Sequence, residues 1–219
     1  MIDAASVASS VIGCLDVSRF RADPFRHWLL EDILPADVCL GIDAIPVAPP
    51  KIEDTLGKRE THNSTRLFFG AENRARHPVC EALAAGFQSL DVVERIELLC
   101  QTKLRESHLR IEYCLDTDGF WLEPHTDIGD KLFSMEIYLS SEPGSEAWGA
   151  DILDSNLNLV AVAPYKRNAG FAFVPGRDTW HGFRRRPING VRRSLVVNYV
   201  KPAWRSRHEL AFPDRPAGS

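Results

Sequence analysis

Residues 109–140 read LRIEYCLDTDGFWLEPHTDIGDKLFSMEIYLS. Three short apolar runs, LRIEYCL (109–115), FWLEPHTD (120–127) and KLFSMEIYLS (131–140), are separated by turn residues, DTDG (116–119) among them. Runs of this length that are broken by turn residues read as strands rather than helices. The texture continues toward the C-terminus. After EPG (142–144) come GADIL (149–153), LNLVAVA (157–163), GFAFV (170–174), TWHGF (179–183) and VRRSLVVNYV (191–200), which completes eight candidate strands. Many short strands with regular turn signals indicate a sandwich or barrel, and eight suits a double-sheet jelly roll, the double-stranded β-helix. The expected fold is mainly β with N-terminal helices.

Upstream the pattern is different. FRHWLLEDIL (25–34) is an early strand or a short helix, and Pro35 suits the first turn of a helix running to about residue 45, which PVAPP (46–50) ends. Residues 51–76 have weak periodicity, many charges and an apolar island at Leu67, Phe68 and Phe69, which reads as a surface loop or a lid. His77-Pro78 opens a helix with Val79, Leu83, Phe87 and Leu90 at helical spacing, and Asp91 is the expected cap of a second helix carrying Val92, Ile96, Leu99 and Cys100. One structural domain is expected. Its parts are a loose N-terminal segment (1–24), a helical support region (25–106), a jelly-roll core (107–200) and a tail (201–219) that wraps the surface or frays.

Composition narrows the function classes. At 219 residues and 44% hydrophobic the chain can bury a full core, and a net charge of −4 argues against a general nucleic-acid binder. The mildly apolar start lacks a basic head and a sustained apolar run, so a membrane span is not expected and a cytoplasmic location is. Cys14, Cys39, Cys80, Cys100 and Cys114 show no CxxC spacing and read as reduced core thiols. Oligomeric state is not encoded in any legible pattern.

The chemistry concentrates in WLEPHTDIGDK (121–131). An extended backbone turns residues i and i+2 to the same side, so His125 and Asp127 can converge on one ion. His181, in WHGF (180–183) on the seventh candidate strand, supplies a second imidazole if folding returns it to the first two strands. Two histidines and one carboxylate on one face of a metal, with the remaining positions open, form the ligand set of non-haem Fe(II) oxygenases. Eleven residues beyond His181, Arg192 and Ser194 share one face of the last strand. An inward guanidinium in such a strand requires an anion, and a carboxylate is expected there.

On these residues the stretch from about 107 to 199 resembles the Fe(II)/2-oxoglutarate-dependent dioxygenases, especially the branch similar to prolyl hydroxylases. The resemblance implies that His125, Asp127 and His181 ligate iron, that Arg192 with Ser194 binds the distal carboxylate of 2-oxoglutarate, that Tyr138 contacts that carboxylate too, and that Tyr113 lines the cofactor pocket. It implies Fe(II) as cofactor, 2-oxoglutarate and O2 as cosubstrates, and hydroxylation or a related oxidation with release of succinate and CO2. Glu136 departs from the pattern, and Arg192, Arg110 or a substrate amine are its candidate partners.

Competing readings stand beside these. His125, Asp127 and His181 also suit hydrogen-bonded barrel residues, Arg193 competes with Arg192 for the cofactor contact, and Tyr113 and Tyr138 also read as ordinary strand aromatics. A small-molecule substrate is expected, with Arg66, Trp148 and Trp180 as candidate contacts and the segments 51–76 and 142–148 as the roof of the site. The alternatives are a protein-residue hydroxylase and a cupin-like metal-binding or isomerase module, which has no use for an Arg-x-Ser pair.

Overall fold

The computed structural model describes residues 2–59, 66–127 and 129–219. In chain order the elements are α1 (Ala4–Asp16), β1 (Arg19–Arg21), β2 (His27–Leu30), α2 (Ala36–Asp43), β3 (Arg66–Phe68), α3 (Ala71–Arg76), α4 (Pro78–Gln88) and α5 (Leu90–Cys100). There follow β4 (His108–Asp116), β5 (Leu122–His125), β6 (Lys131–Tyr138), β7 (Asp151–Leu153), β8 (Leu159–Val162), β9 (Ala169–Phe173), β10 (His181–Phe183) and β11 (Arg192–Val200). Every one of the eight expected strands forms. They divide between two antiparallel sheets, β1-β2-β9-β6-β11-β4-β3 and β5-β10-β7-β8.

Period-two alternation on β4 and β11 sets up the interior. Leu109, Ile111, Tyr113 and Leu115 of β4, with Leu195, Val197 and Tyr199 of β11, join the large apolar core shared with the helices. The alternate residues, Arg110, Glu112, Cys114 and Asp116 with Arg192, Ser194 and Asn198, are also buried but face the opposite way. A second apolar cluster, with Phe120, Tyr138, Ile152, Phe171, Phe173 and Phe183, draws on strands of both sheets and packs between them. The close approach of neighbouring strands demands glycine at position 170. A Cβ on Gly170 of β9 would lie 1.9 Å from the Glu136 carbonyl oxygen of β6.

The N-terminus differs from expectation. The expected loose segment 1–24 contains a packed helix, because Val7, Val11, Cys14 and Leu15 form an i, i+4, i+7, i+8 stripe that α1 buries against α4 and α5. Asp3 caps this helix, accepting from the Ser6 amide at 2.8 Å. Asp91 is not a cap. It lies in the first turn of α5, where Ser89 holds the N-cap position and its hydroxyl donates to the Gly86 carbonyl instead.

The segment 51–76 is only partly a loop. Arg66–Phe68 adds an edge strand to β4 and α3 follows, while residues 60–65 lie outside the described residues. Gly57, at φ +74°, packs against the Trp121 ring, and this holds the segment over β5. The tail wraps rather than frays, since Leu210, Ala211, Phe212 and Ala217 are buried and the Ala211 amide donates to Leu109. All five cysteines are buried, and burial pushes the Cys80 and Cys100 thiols up to about 12. Among the described residues no helix is long and apolar enough to cross a membrane.

Candidate metal centre

β5 and β10 pair so that His125 and His181 stand directly opposite each other, with ring centroids 4.2 Å apart. β5 ends at His125. Asp127 then adopts a left-handed backbone at φ 61°, a conformation that Asp tolerates better than most residues. Its carboxylate thereby turns toward both imidazoles, with Oδ1 3.6 Å from His125 Nε2 and Oδ2 3.9 Å from His181 Nε2. Convergence therefore comes from a turn and not from the strand alternation that the spacing suggested. One ligand atom from each of the three residues lies within 4.8 Å of the others.

Hydrogen bonds fix which nitrogens face the centre. His125 Nδ1 lies 2.9 Å from the Glu123 carbonyl, and His181 Nδ1 lies 2.9 Å from the Thr179 carbonyl. A carbonyl only accepts, so both Nδ1 atoms carry protons and the Nε2 lone pairs point inward. This is the outer support that metal-ligating histidines use. Burial, and then His125, lower the pKa of His181 to about 4, which keeps it neutral. Burial alone would raise Asp127, but Lys131, His181 and His125 outweigh it and hold the carboxyl well below its usual range. Lys131 Nζ donates to Asp127 Oδ1 at 2.8 Å, and Ser134 Oγ to Oδ2 at 3.1 Å. Two imidazole nitrogens and a carboxylate, all on one side of an open cavity, suit a divalent iron with free positions.

A cavity of about 360 Å³ opens at this centre, and its lining also includes Arg66, Glu112, Glu136 and Arg192. Arg192 is in the buried wall, at 2% exposure. Its Nε donates to the Trp148 carbonyl at 2.8 Å, one terminal nitrogen to Asp116 at 2.8 Å and the other to Glu136 at 2.6 Å. Arg59 grips Asp116 from the other side through two hydrogen bonds of 2.7 and 3.3 Å. A second chain of ion pairs runs along the same face of β4, from Glu209 through Arg110 and Glu112 to Arg66. Burial opposes ionisation of Glu112, yet Arg110, Arg66 and Arg59 bring its pKa down to about 2.

The other expected residues divide. Ser194 is buried on the same face as Arg192, opposite Tyr138, and its hydroxyl has no hydrogen-bond partner among the described residues. The Tyr138 hydroxyl donates to Glu136 at 3.3 Å and accepts from the Ala150 amide at 3.1 Å, so the ring lies behind the cavity wall. Tyr113 does not line the cavity, because alternation turns it to the outer face of β4, into the helical core and beside Arg193. Trp148 is a core residue, donating from its indole to the Pro187 carbonyl, and its backbone carbonyl accepts from Arg192. Trp180 precedes β10 and is absent from the cavity lining, which includes Arg66. Asp116 and Lys131 were not anticipated. Asp116 extends the polar alternation Arg110, Glu112, Cys114 by one step past the point where the turn was placed, and that was the available signal.

No protein-family model and no curated protein matches the sequence. Solved structures do. A prolyl 4-hydroxylase from Phytophthora capsici superposes with a TM-score of 0.60 at 14% identity, covering 92% of this chain and 66% of that one, so this chain spans just under two thirds of it. A prolyl hydroxylase from Trichoplax adhaerens, in complex with a hypoxia-inducible-factor peptide fragment, gives 0.56 at 13% identity over 90% of each chain. SnoN, a non-haem alpha-ketoglutarate-dependent epimerase of nogalamycin biosynthesis, gives 0.50 at 11% identity over 90% of this chain and 84% of that one. At these identities the likeness is one of fold, and the fold of this chain is that of the prolyl hydroxylases.

Proposed function

We propose that the chain is an Fe(II)-dependent oxygenase that uses 2-oxoglutarate or a closely related 2-oxo acid as cosubstrate and hydroxylates or otherwise oxidises a small molecule. Its eight core strands are wound as a jelly roll, with the metal held at one mouth of the roll. The observation that carries this reading is the pair of Nδ1-tethered histidines whose Nε2 atoms converge on Asp127. His125, Asp127 and His181 hold the iron, which when bound supplies activation of O2 coupled to decarboxylation of the 2-oxo acid. Glu123 and Thr179 carbonyls keep both imidazoles in the ligating tautomer. Phe120, Phe171, Phe173 and Phe183 exclude water from the cavity behind the metal. Gly57 and Arg59 line it, and Arg66 offers a polar contact.

A small molecule is favoured over a protein residue because the cavity at the metal centre, lined in part by residues 57–59, has a volume of about 360 Å³, within the range of small-ligand sites. The peptide-bound Trichoplax neighbour supports the second reading, a protein-residue hydroxylase. Arg192 no longer separates an oxygenase from a cupin-like metal-binding module, since its partners here are internal. Anaerobic Fe(II) addition with and without a 2-oxo acid tests the proposal. A weak visible charge-transfer band that needs both is expected, and 2-oxo acid consumption on admitting air should follow. Iron binding with no band and no consumption for any 2-oxo acid would leave only the binding module.

A further inference from the structure

If the chain used 2-oxoglutarate as the fold suggests, the second carboxylate would have to meet a cation with charge to spare. Arg192 has none. Of its five N–H donors three are engaged, one by a carbonyl and two by carboxylates. Asp116 is fully buried and fixed from two sides by Arg59 and Arg192. Glu136 is the member that borders the cavity, with one oxygen on Arg192 and the other on the Tyr138 hydroxyl. Among the other cations of the wall, Arg59 is matched by Asp116, Arg66 by Glu112 and Lys131 by Asp127, and Lys58 is exposed to solvent. A ligand carboxylate placed against Arg192 would lie beside Glu136, and two like charges in a partly desolvated cavity repel strongly.

What the Arg192–Glu136 pair offers is a donor next to an acceptor: the unengaged N–H groups of Arg192 and the carboxylate of Glu136. We infer that the Arg192–Glu136 pair makes this cavity select a 2-oxo acid whose far end is neutral and both donates and accepts, a carboxamide above all, over one that ends in a carboxylate. A carboxamide oxygen accepts from Arg192 while its NH2 donates to Glu136, so both partners are satisfied and no charge is added. A carboxylate satisfies the arginine alone. Glu136 is then a specificity-determining residue, and the inference rests on the 2-oxo-acid reading of the metal centre.

The test compares N-oxalylglycine, an unreactive analogue of 2-oxoglutarate, with N-oxalylglycinamide, which differs only in its far end. Each is titrated calorimetrically into the full chain loaded with Ni(II), for the wild type and for Glu136→Gln, whose amide keeps the shape and donates to a carboxylate. The wild type should bind the amide at least about tenfold more tightly, since a single mismatched charged contact is worth that much or more. Glu136→Gln should bring the ratio to unity or reverse it. A wild type that prefers N-oxalylglycine, or a ratio unchanged in Glu136→Gln, overturns the inference and leaves the 2-oxo-acid reading standing. Failure of both analogues to bind the metal-loaded protein overturns both. Should Glu136→Gln not fold, the wild-type ratio decides alone.

Discussion

The two ends of the cavity are built on opposite principles. At the metal end, His125, His181 and Asp127 point acceptor atoms at one another with no proton between the two Nε2 atoms, and such an arrangement is unfavourable until a cation fills it. At the Arg192 end every charge has its partner: Asp116 holds two arginines, and Arg192 holds two carboxylates. Converging acceptors could hold a metal ion, whereas a closed set of ion pairs holds the strands together and leaves little to attract a further charge. A buried, matched network is costly to break even where it adds little net stability. The same fold thus carries a convergent set of metal-ligating atoms and a closed set of ion pairs in one cavity.

Arg192→Ala is the sharpest way to break this contrast. It leaves Glu136 without its cation and Asp116 with one of two, and breaking a buried pair costs about 3–5 kcal/mol. A fall of that size in unfolding free energy by urea titration is expected, and a loss below about 1 kcal/mol would mean the network is not closed. At the other end, His181→Ala or Asp127→Ala should leave the circular dichroism spectrum intact and weaken Ni(II) or Fe(II) affinity by about 100-fold or more, because losing even an outer support costs 10–100-fold. Unchanged metal affinity in either would remove that residue from the centre.

Between the two lies Gly170→Ala, whose new Cβ meets the Glu136 backbone. Overpacking of this kind costs about 1–3 kcal/mol, read as a lowered urea midpoint. The smallest effect should come from Arg193→Ala. Arg193 pairs with Glu142 on the opposite face of β11 and is partly exposed, so a change within about 1 kcal/mol and an unaltered metal isotherm are expected. A metal affinity that moved with Arg193 would put the wrong face of β11 in the cavity.

Much of this was legible in the chain. All eight core strands could be placed from apolar runs and turn residues, because strand length and turn chemistry are local properties. His125, Asp127 and His181 could be named from residue type and spacing. α1 was legible too, in the Val7, Val11, Cys14, Leu15 stripe, but its serines masked the apolar face. Tyr113 was assigned to the cavity through a resemblance, and the alternation Leu109, Ile111, Tyr113, Leu115 would have turned it outward.

What the sequence by itself determined is which side chains share a face: Arg192 with Ser194 against Arg193, and the apolar against the charged set on β4, since period two follows from the extended backbone alone. Only the tertiary structure decided which distant faces meet. The register of β10 on β5 brings two histidines 56 positions apart into ring contact, and β11 lies between β4 and β6, so Arg192 falls between Asp116 and Glu136. Pairing across such separations is fixed by the packing of whole sheets, which no local pattern encodes. Whether a charged residue is free for a ligand or already matched depends on that pairing.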